Sequence, residues 1–262
     1  MGLPSCKMTE AESSGTTCES ASVRRLSPKS TSYLRAMSLS LDERRKVAES
    51  LLRIKAIQLA PEEPFTWASG LRSPIYCDNR MALSHPSVRT HIRQQLCSAV
   101  EDAYGKPDMI AGVATGGIAW GAYVAHELGL PFCYVRGEVK GHGKGNRVEG
   151  DLGKARNVVV IEDLISTGKS SLSAVEALRA EGLEVKGMVA IFTYGFDLAA
   201  KNFAASGCPL ETLSDYPTLI TEAAQREYLT DDQAGALMKW REDAVAWSDK
   251  FTAPTEPDGV KG

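Results

Sequence analysis

The sequence predicts an α/β fold: a mostly parallel central sheet with helices on both faces, plus a small hood. Three observations predict it. Short apolar runs at 109–114, 132–135, 158–161 and 186–192 alternate with helical patterns at 119–128 and 170–181. Such alternation means βαβ units, and hence parallel strands. The run Val158-Val159-Val160-Ile161 is apolar at every position, as suits a strand buried on both faces. Finally, 262 residues, 43% of them hydrophobic, suffice for a core that needs no disulfides or structural metal.

The elements follow in chain order. Residues 1–36 are rich in Ser and Thr and show no helical or strand period, and so read as a disordered extension. Arg24-Arg25 gives this segment some likeness to a transit peptide, but Glu10, Glu12 and Glu19 weigh against it, because such peptides are poor in acids. One domain is expected over 37–252. Its hood takes about 40–85 with C-terminal contributions, its core about 86–230, and 253–262 form a flexible tail. Ser40 is the expected N-cap of an amphipathic helix carrying Val47, Leu51, Leu52 and Ile54. A loop with Pro61, Pro64, Gly70 and Pro74 follows. Pro86 opens a second helix through Val88, Ile92, Leu96 and Val100. Near the C-terminus, Leu219 is expected in a short strand. Thr230 through Trp247 is expected to be one helix, with Trp240 and Trp247 as packing residues.

Composition excludes several classes. Lys+Arg is 30 against Asp+Glu 33, a net charge of −3, so nucleic acid is not an expected partner. Cys6, Cys18, Cys77, Cys97, Cys133 and Cys208 are dispersed, with no CxxC pair, which fits a reducing, cytoplasmic setting better than a disulfide scaffold or a zinc site. No apolar run approaches the ~20 residues that span a bilayer, and no signal-peptide core is evident, so no membrane association is expected.

The chemistry concentrates in 158–171. An apolar strand runs into Glu162-Asp163, both expected at a solvent-facing strand end. Leu164, Ile165, Ser166, Thr167, Gly168, Lys169 and Ser170 follow, and a helix begins there. Ligands of open α/β sheets bind at the carboxyl ends of strands. Small residues before a helix start offer backbone N–H groups to a phosphate monoester. Gly168-Lys169-Ser170 resembles the end of a nucleotide-binding P-loop. That motif requires glycine five residues before Gly168, where Asp163 stands, and a carboxylate there repels nucleotide phosphates. Paired acids are instead strong acceptors for vicinal hydroxyls, and a ribose 5-phosphate presents such a diol beside a phosphate.

Segment 158–171 resembles the phosphoribosyl-diphosphate (PRPP) motif of type I phosphoribosyltransferases. Three further segments narrow the resemblance to the orotate phosphoribosyltransferase family. Phe65-Thr66-Trp67-Ala68-Ser69-Gly70-Leu71-Arg72-Ser73-Pro74-Ile75-Tyr76-Cys77-Asp78-Asn79-Arg80 is similar to its substrate hood. Gly112-Val113-Ala114-Thr115-Gly116-Gly117-Ile118 is similar to its pyrophosphate loop, and Tyr134-Val135-Arg136 through Lys140-Gly141-His142-Gly143 to Glu149-Gly150 is similar to its mobile catalytic loop. The likeness covers about residues 40–250.

The resemblance implies transfer of ribose 5-phosphate from PRPP to N1 of orotate, with Mg2+ bridging diphosphate and ribose hydroxyls through few protein ligands. It implies that Glu162 and Asp163 hold the diol, that Leu164 to Ser170 bind PRPP, and that Ser166 and Tyr76 touch orotate. Arg136, Lys140 and His142 would contact the diphosphate, with Lys140, Glu162 and Asp163 catalytic. Lys140 and His142 would reach across a homodimer interface into the partner's site. A cis Ala114–Thr115 peptide is also implied. Three departures stand out. Gly137-Glu138 follows Arg136 where many relatives have a second cation. Ala68 replaces a lysine of some bacterial relatives, with Arg72 as a nearby substitute. Tyr194-Gly195-Phe196 stands where those relatives place the arginine that holds the orotate carboxylate.

Overall fold

The computed structural model describes residues 39–67, 69–137 and 147–251. Helix α1 (Leu41–Arg53) begins as expected. The Ser40 Oγ accepts from the Glu43 backbone N–H at 3.3 Å, and Glu43 accepts from the Ser40 N–H at 2.9 Å. Such a capping box satisfies two orphan donors and stabilises a helix by about 1 kcal/mol. Segment 57–84 is more ordered than the expected loop. It holds β1 (Ile57–Leu59) paired antiparallel with β4 (Ile75–Cys77), β2 (Phe65–Thr66) paired with β3 (Arg72–Ser73), and a 3-10 helix, Asn79–Ser84. Strands of two or three residues are too short to show a period, so proline and glycine dominate the sequence signal.

The core sheet contains β5 (Met109–Val113), β6 (Phe132–Val135), β7 (Val148–Glu149), β8 (Asn157–Ile165), β9 (Glu184–Thr193) and β10 (Leu210–Asp215). Their order is β10-β9-β8-β5-β6-β7, parallel throughout except for β7, which pairs antiparallel with β6. Both faces are covered. Val159 and Ile161 join the apolar cluster under α1, α2 (Pro86–Tyr104), α3 (Gly116–Leu128) and α6 (Tyr216–Gln225). Val158 and Val160 join the opposite cluster under α4 (Lys169–Ala180) and α5 (Asp197–Ser206). This two-residue alternation inside an uninterrupted apolar run is how a doubly covered strand fills both cores.

The C-terminal expectation needs correcting. Leu219 lies in α6, and the strand is the preceding Leu210–Asp215. Asp215 caps α6 by accepting from the Thr218 N–H at 2.8 Å, which makes the following residues helical. Asp215 also pairs with Arg44 and so ties α1 to the sheet. The expected single last helix is two, α7 (Asp231–Glu242) and α8 (Ala244–Asp249). Asp243 leaves helical geometry and accepts from the Ala246 N–H at 2.9 Å, starting the second helix. Trp240 is fully buried against Trp67, Tyr194, Phe196 and Tyr216, whereas Trp247 packs on Phe251.

Candidate functional site

From β5 the chain crosses to β6 on one side and later returns to β8 on the other, so the strand order reverses between β5 and β8. Ligands of open parallel sheets bind at the carboxyl ends of the strands at such a reversal. Both candidate loops leave from these two strands. The loop after β5 carries the cis Ala114–Thr115 peptide, in line with the resemblance, and enters α3 at Gly116. A Cβ on Gly117 would lie 2.5 Å from the Ile161 carbonyl oxygen, so glycine is what lets the first turn of α3 rest on the backbone of β8.

Strand β8 runs further than the apolar pattern shows. Its pairing with β5 stops at Gly112↔Ile161, while its pairing with β9 continues to Ile165↔Thr193. Glu162 and Asp163 therefore lie inside the strand, on the stretch where the β5 side is vacated. The two acids differ, and this corrects the expectation that both face solvent. Glu162 is 5% exposed and accepts from Ser171 Oγ and from the Asp163 N–H, each at 2.9 Å. Burial, and then the neighbouring Asp163 charge, push its pKa well above the ordinary carboxylate range. Asp163 is only half-buried, and its carboxylate sits so near Gly116 that a Cβ there would collide with it.

A residue that sequence reasoning left without a role holds this acid in place. Asn79, almost fully buried, donates from Nδ2 to the Asp163 carbonyl at 2.7 Å and so clasps the hood to the core. Beside it Arg80 pairs with Asp78 at 2.7 Å. Asp78, Arg80, Thr115, Glu162, Asp163 and Ser170 all border one cavity of about 350 Å³. The available signal was the polar Asp78-Asn79-Arg80 run directly after an apolar strand.

Beyond the acids, the Ile165 side chain is buried in the core and its carbonyl accepts from the Tyr194 N–H at 3.1 Å. Ile165 thus anchors the loop and leaves its side chain unavailable to a ligand. Ser166 and Thr167 are half-buried, and Asn202 Nδ2 holds the Thr167 carbonyl at 2.9 Å. Gly168 takes φ 78°, a left-handed conformation suited to glycine, and α4 starts at Lys169 with Lys169 and Ser170 exposed.

Tyr76 and Ser166 lie at one cavity. With Thr66, Trp67, Leu164 and Tyr194 they line this second cavity, of about 260 Å³, and Tyr76 is 40% exposed with its ring 5.7 Å from that of Phe65. Arg136 lies one residue beyond β6 and pairs with Glu149 at 3.4 Å, apart from the residues that line the two cavities. Arg72 donates to Thr66 Oγ1 at 2.6 Å, on the rim of the Tyr76 cavity. Lys140, His142, Glu138 and Ala68 fall outside the described residues.

The arrangement suits a sugar phosphate. One acid is accessible and one buried, a backbone turn precedes a helix, and two adjoining cavities meet at Leu164 and Cys77. Among the described residues no set of three or more His, Cys, Asp or Glu is arranged to hold a metal. The accessible Asp163 carboxylate is a hard oxygen donor that fits Mg2+, an ion that keeps several waters and needs few protein ligands.

Comparison with known proteins gives the same direction. The phosphoribosyl transferase domain model matches residues 81–215. The orotate phosphoribosyltransferase of Staphylococcus saprophyticus subsp. saprophyticus is 50% identical over 196 residues, which cover 75% of this chain and 97% of that protein. The orotate phosphoribosyltransferase of Phocaeicola vulgatus is 52% identical over 200 residues, 76% of this chain and 94% of that protein. Among solved structures, orotate phosphoribosyltransferase from Aeropyrum pernix superposes with a TM-score of 0.61 at 31% identity, covering 70% of this chain and 99% of that one.

Proposed function

The chain belongs to the orotate phosphoribosyltransferase family, and on that premise we propose how its own residues divide the work. The reaction transfers ribose 5-phosphate from PRPP to N1 of orotate, releasing diphosphate and giving orotidine 5'-phosphate, a step of UMP biosynthesis.

Asp163 accepts from the ribose hydroxyls. Glu162, buried behind it and tied to Ser171 and to the Asp163 N–H, fixes the acid's backbone and supports the same contact. The 5'-phosphate rests on the N–H groups of Ser166 to Ser170 at the start of α4, where the helix dipole favours an anion. Thr115 to Gly117 offer N–H groups to the diphosphate at the start of α3, and Arg136, Lys140 and His142 complete its binding. Tyr76 supplies a face for the pyrimidine, and Ser166 a hydrogen bond to it. Asp163 would face a bound Mg2+, and the ion would supply charge neutralisation for the departing diphosphate.

The C1'–O bond to diphosphate breaks with positive charge building on the ribose ring, the C1'–N1 bond to orotate forms, and the N1 proton leaves to the diphosphate or to water. No covalent nucleophile is needed. The protein's share is to align the two substrates and to stabilise the departing anion with donors already in place. The enzyme works as a cytoplasmic homodimer whose partner supplies Lys140 and His142 to the site. Asp163, open to a cavity between the hood clasp of Asn79 and the first turn of α3, is the observation that carries this reading.

The test is turnover with PRPP and Mg2+, offering orotate, adenine or hypoxanthine as acceptor. Loss of orotate absorbance is expected, with no conversion of either purine. Use of a purine in preference to orotate overturns the reading.

A further inference from the structure

Orotate differs from uracil by a carboxylate, and a carboxylate leaving water needs a cation or several donors. The cavity holding Tyr76 and Ser166 has no cationic residue in its described lining. It shares Trp67 and Ser166 with a larger cavity of about 890 Å³, which opens between the hood, the 166–167 turn and the C-terminal helices. In the lining of that larger cavity Arg241 is the one cation among the described residues.

Arg241 is held in place from two sides. Trp240, its neighbour on α7, is fully buried in the aromatic cluster with Trp67 and Tyr194. Its own Nη1 donates to the Gly195 carbonyl at 2.8 Å, in the turn that leaves β9. This one bond leaves donors to spare, and the Nε is buried without a partner. Acids share the cavity, but they are otherwise engaged or peripheral. Asp243 caps α8 at 2.9 Å, Asp197 lies in the first turn of α5, Asp249 has interactions of its own, and Glu242 is exposed. No ion pair to Arg241 occurs among the described residues.

We propose that Arg241 is the specificity-determining residue for the acceptor base and pairs with the orotate carboxylate from the larger cavity while Ser166 and Tyr76 hold the ring. Helix α7 thereby does two things at once: its tryptophan closes the aromatic cluster under the hood, and its arginine reads the substrate. This accounts for an uncharged Tyr194-Gly195-Phe196 turn, because the guanidinium arrives at Gly195 from α7 instead of from the turn itself.

The inference rests on orotate being the acceptor, so turnover of orotate by the wild-type enzyme is measured first, and its failure defeats that reading rather than the role of Arg241. The deciding measurement is calorimetric binding of orotidine 5'-phosphate and of uridine 5'-phosphate, which differ only in the carboxylate. Wild type should prefer the former. In Arg241→Gln that preference should fall by roughly 10- to 100-fold, the loss typical of a charge-assisted hydrogen bond. Affinity for uridine 5'-phosphate should stay unchanged, and Arg241→Lys should restore part of the preference. An unchanged preference, or equal loss for both nucleotides, overturns the proposal. Should the variants fold poorly, wild-type enzyme treated with phenylglyoxal gives the answer by peptide mass spectrometry. Orotidine 5'-phosphate should protect Arg241 and uridine 5'-phosphate should not. Equal protection by both contradicts the assignment.

Discussion

Replacing Gly116 by alanine places a methyl group where the Asp163 carboxylate now lies. An added Cβ would overlap Asp163 Oδ2 and Cγ outright and sit 2.5 Å from Oδ1, against a comfortable separation of about 3.5 Å. The carboxylate must therefore retreat by more than about 1 Å. The obstacle is a side chain at a cavity, so the fold should survive. A 1 Å misplacement of a group that positions substrate costs about 10²-fold in rate. Gly117→Ala, one residue on, is the control. Its Cβ would meet the Ile161 carbonyl at 2.5 Å and Glu162 Cα at 3.3 Å, both on the backbone of β8, which cannot swing aside. Overpacking of that kind costs about 1–3 kcal/mol, or about 2–12 °C in Tm for a domain of this size. Steady-state kinetics in PRPP and thermal melts separate the two effects. Gly116→Ala should lower kcat/KM for PRPP by about 100-fold with a Tm near wild type, and Gly117→Ala should lose the larger share of Tm. Wild-type use of PRPP by a folded Gly116→Ala enzyme would refute the claim that Asp163 reads the ribose.

Glu162 gives a prediction in pH. Folding raises its pKa above about 4.5, mainly through burial and then through Asp163, so between those values the folded state binds more protons than the unfolded one. Its contribution to stability is therefore full below about 4.5 and is lost as pH rises towards the elevated value. Glu162→Gln removes that slope, and its Tm relative to wild type should climb as pH rises from about 4.5; a difference independent of pH contradicts the account. For the shared site, Lys140→Ala should fold, dimerise and be nearly inactive. Mixed dimers with Asp163→Asn should recover part of the activity, since one site then combines an intact acid from one chain with an intact lysine from the other. No recovery in verified mixed dimers means the loop serves its own subunit.

Much of this was legible in residue order. The Val158–Ile161 run, the acids after it and the small residues up to Ser170 located β8, the ligand end of the sheet and the start of α4. What the sequence hid has physical causes. Glu162 looks like a solvent-facing acid because period alone does not reveal that Ser171, nine residues on, folds back to satisfy it. Strand β10 escaped notice because the buried Glu211 interrupts its apolar pattern. The C-terminal break at Asp243 was hidden because an aspartate inside a helical period also reads as a surface residue. Asn79 and Arg241 act through contacts 84 and 46 residues away in sequence, and no local pattern reports those.

The central claim, that the acids near the carboxyl end of β8 recognise the ribose of PRPP, is tested most directly by titrating PRPP with Mg2+ into wild type and Asp163→Asn, with no orotate present. The account predicts a folded variant with an unchanged melting profile and PRPP affinity at least about 10-fold weaker, since two charge-assisted hydrogen bonds are lost. Wild-type affinity for PRPP in Asp163→Asn would contradict it.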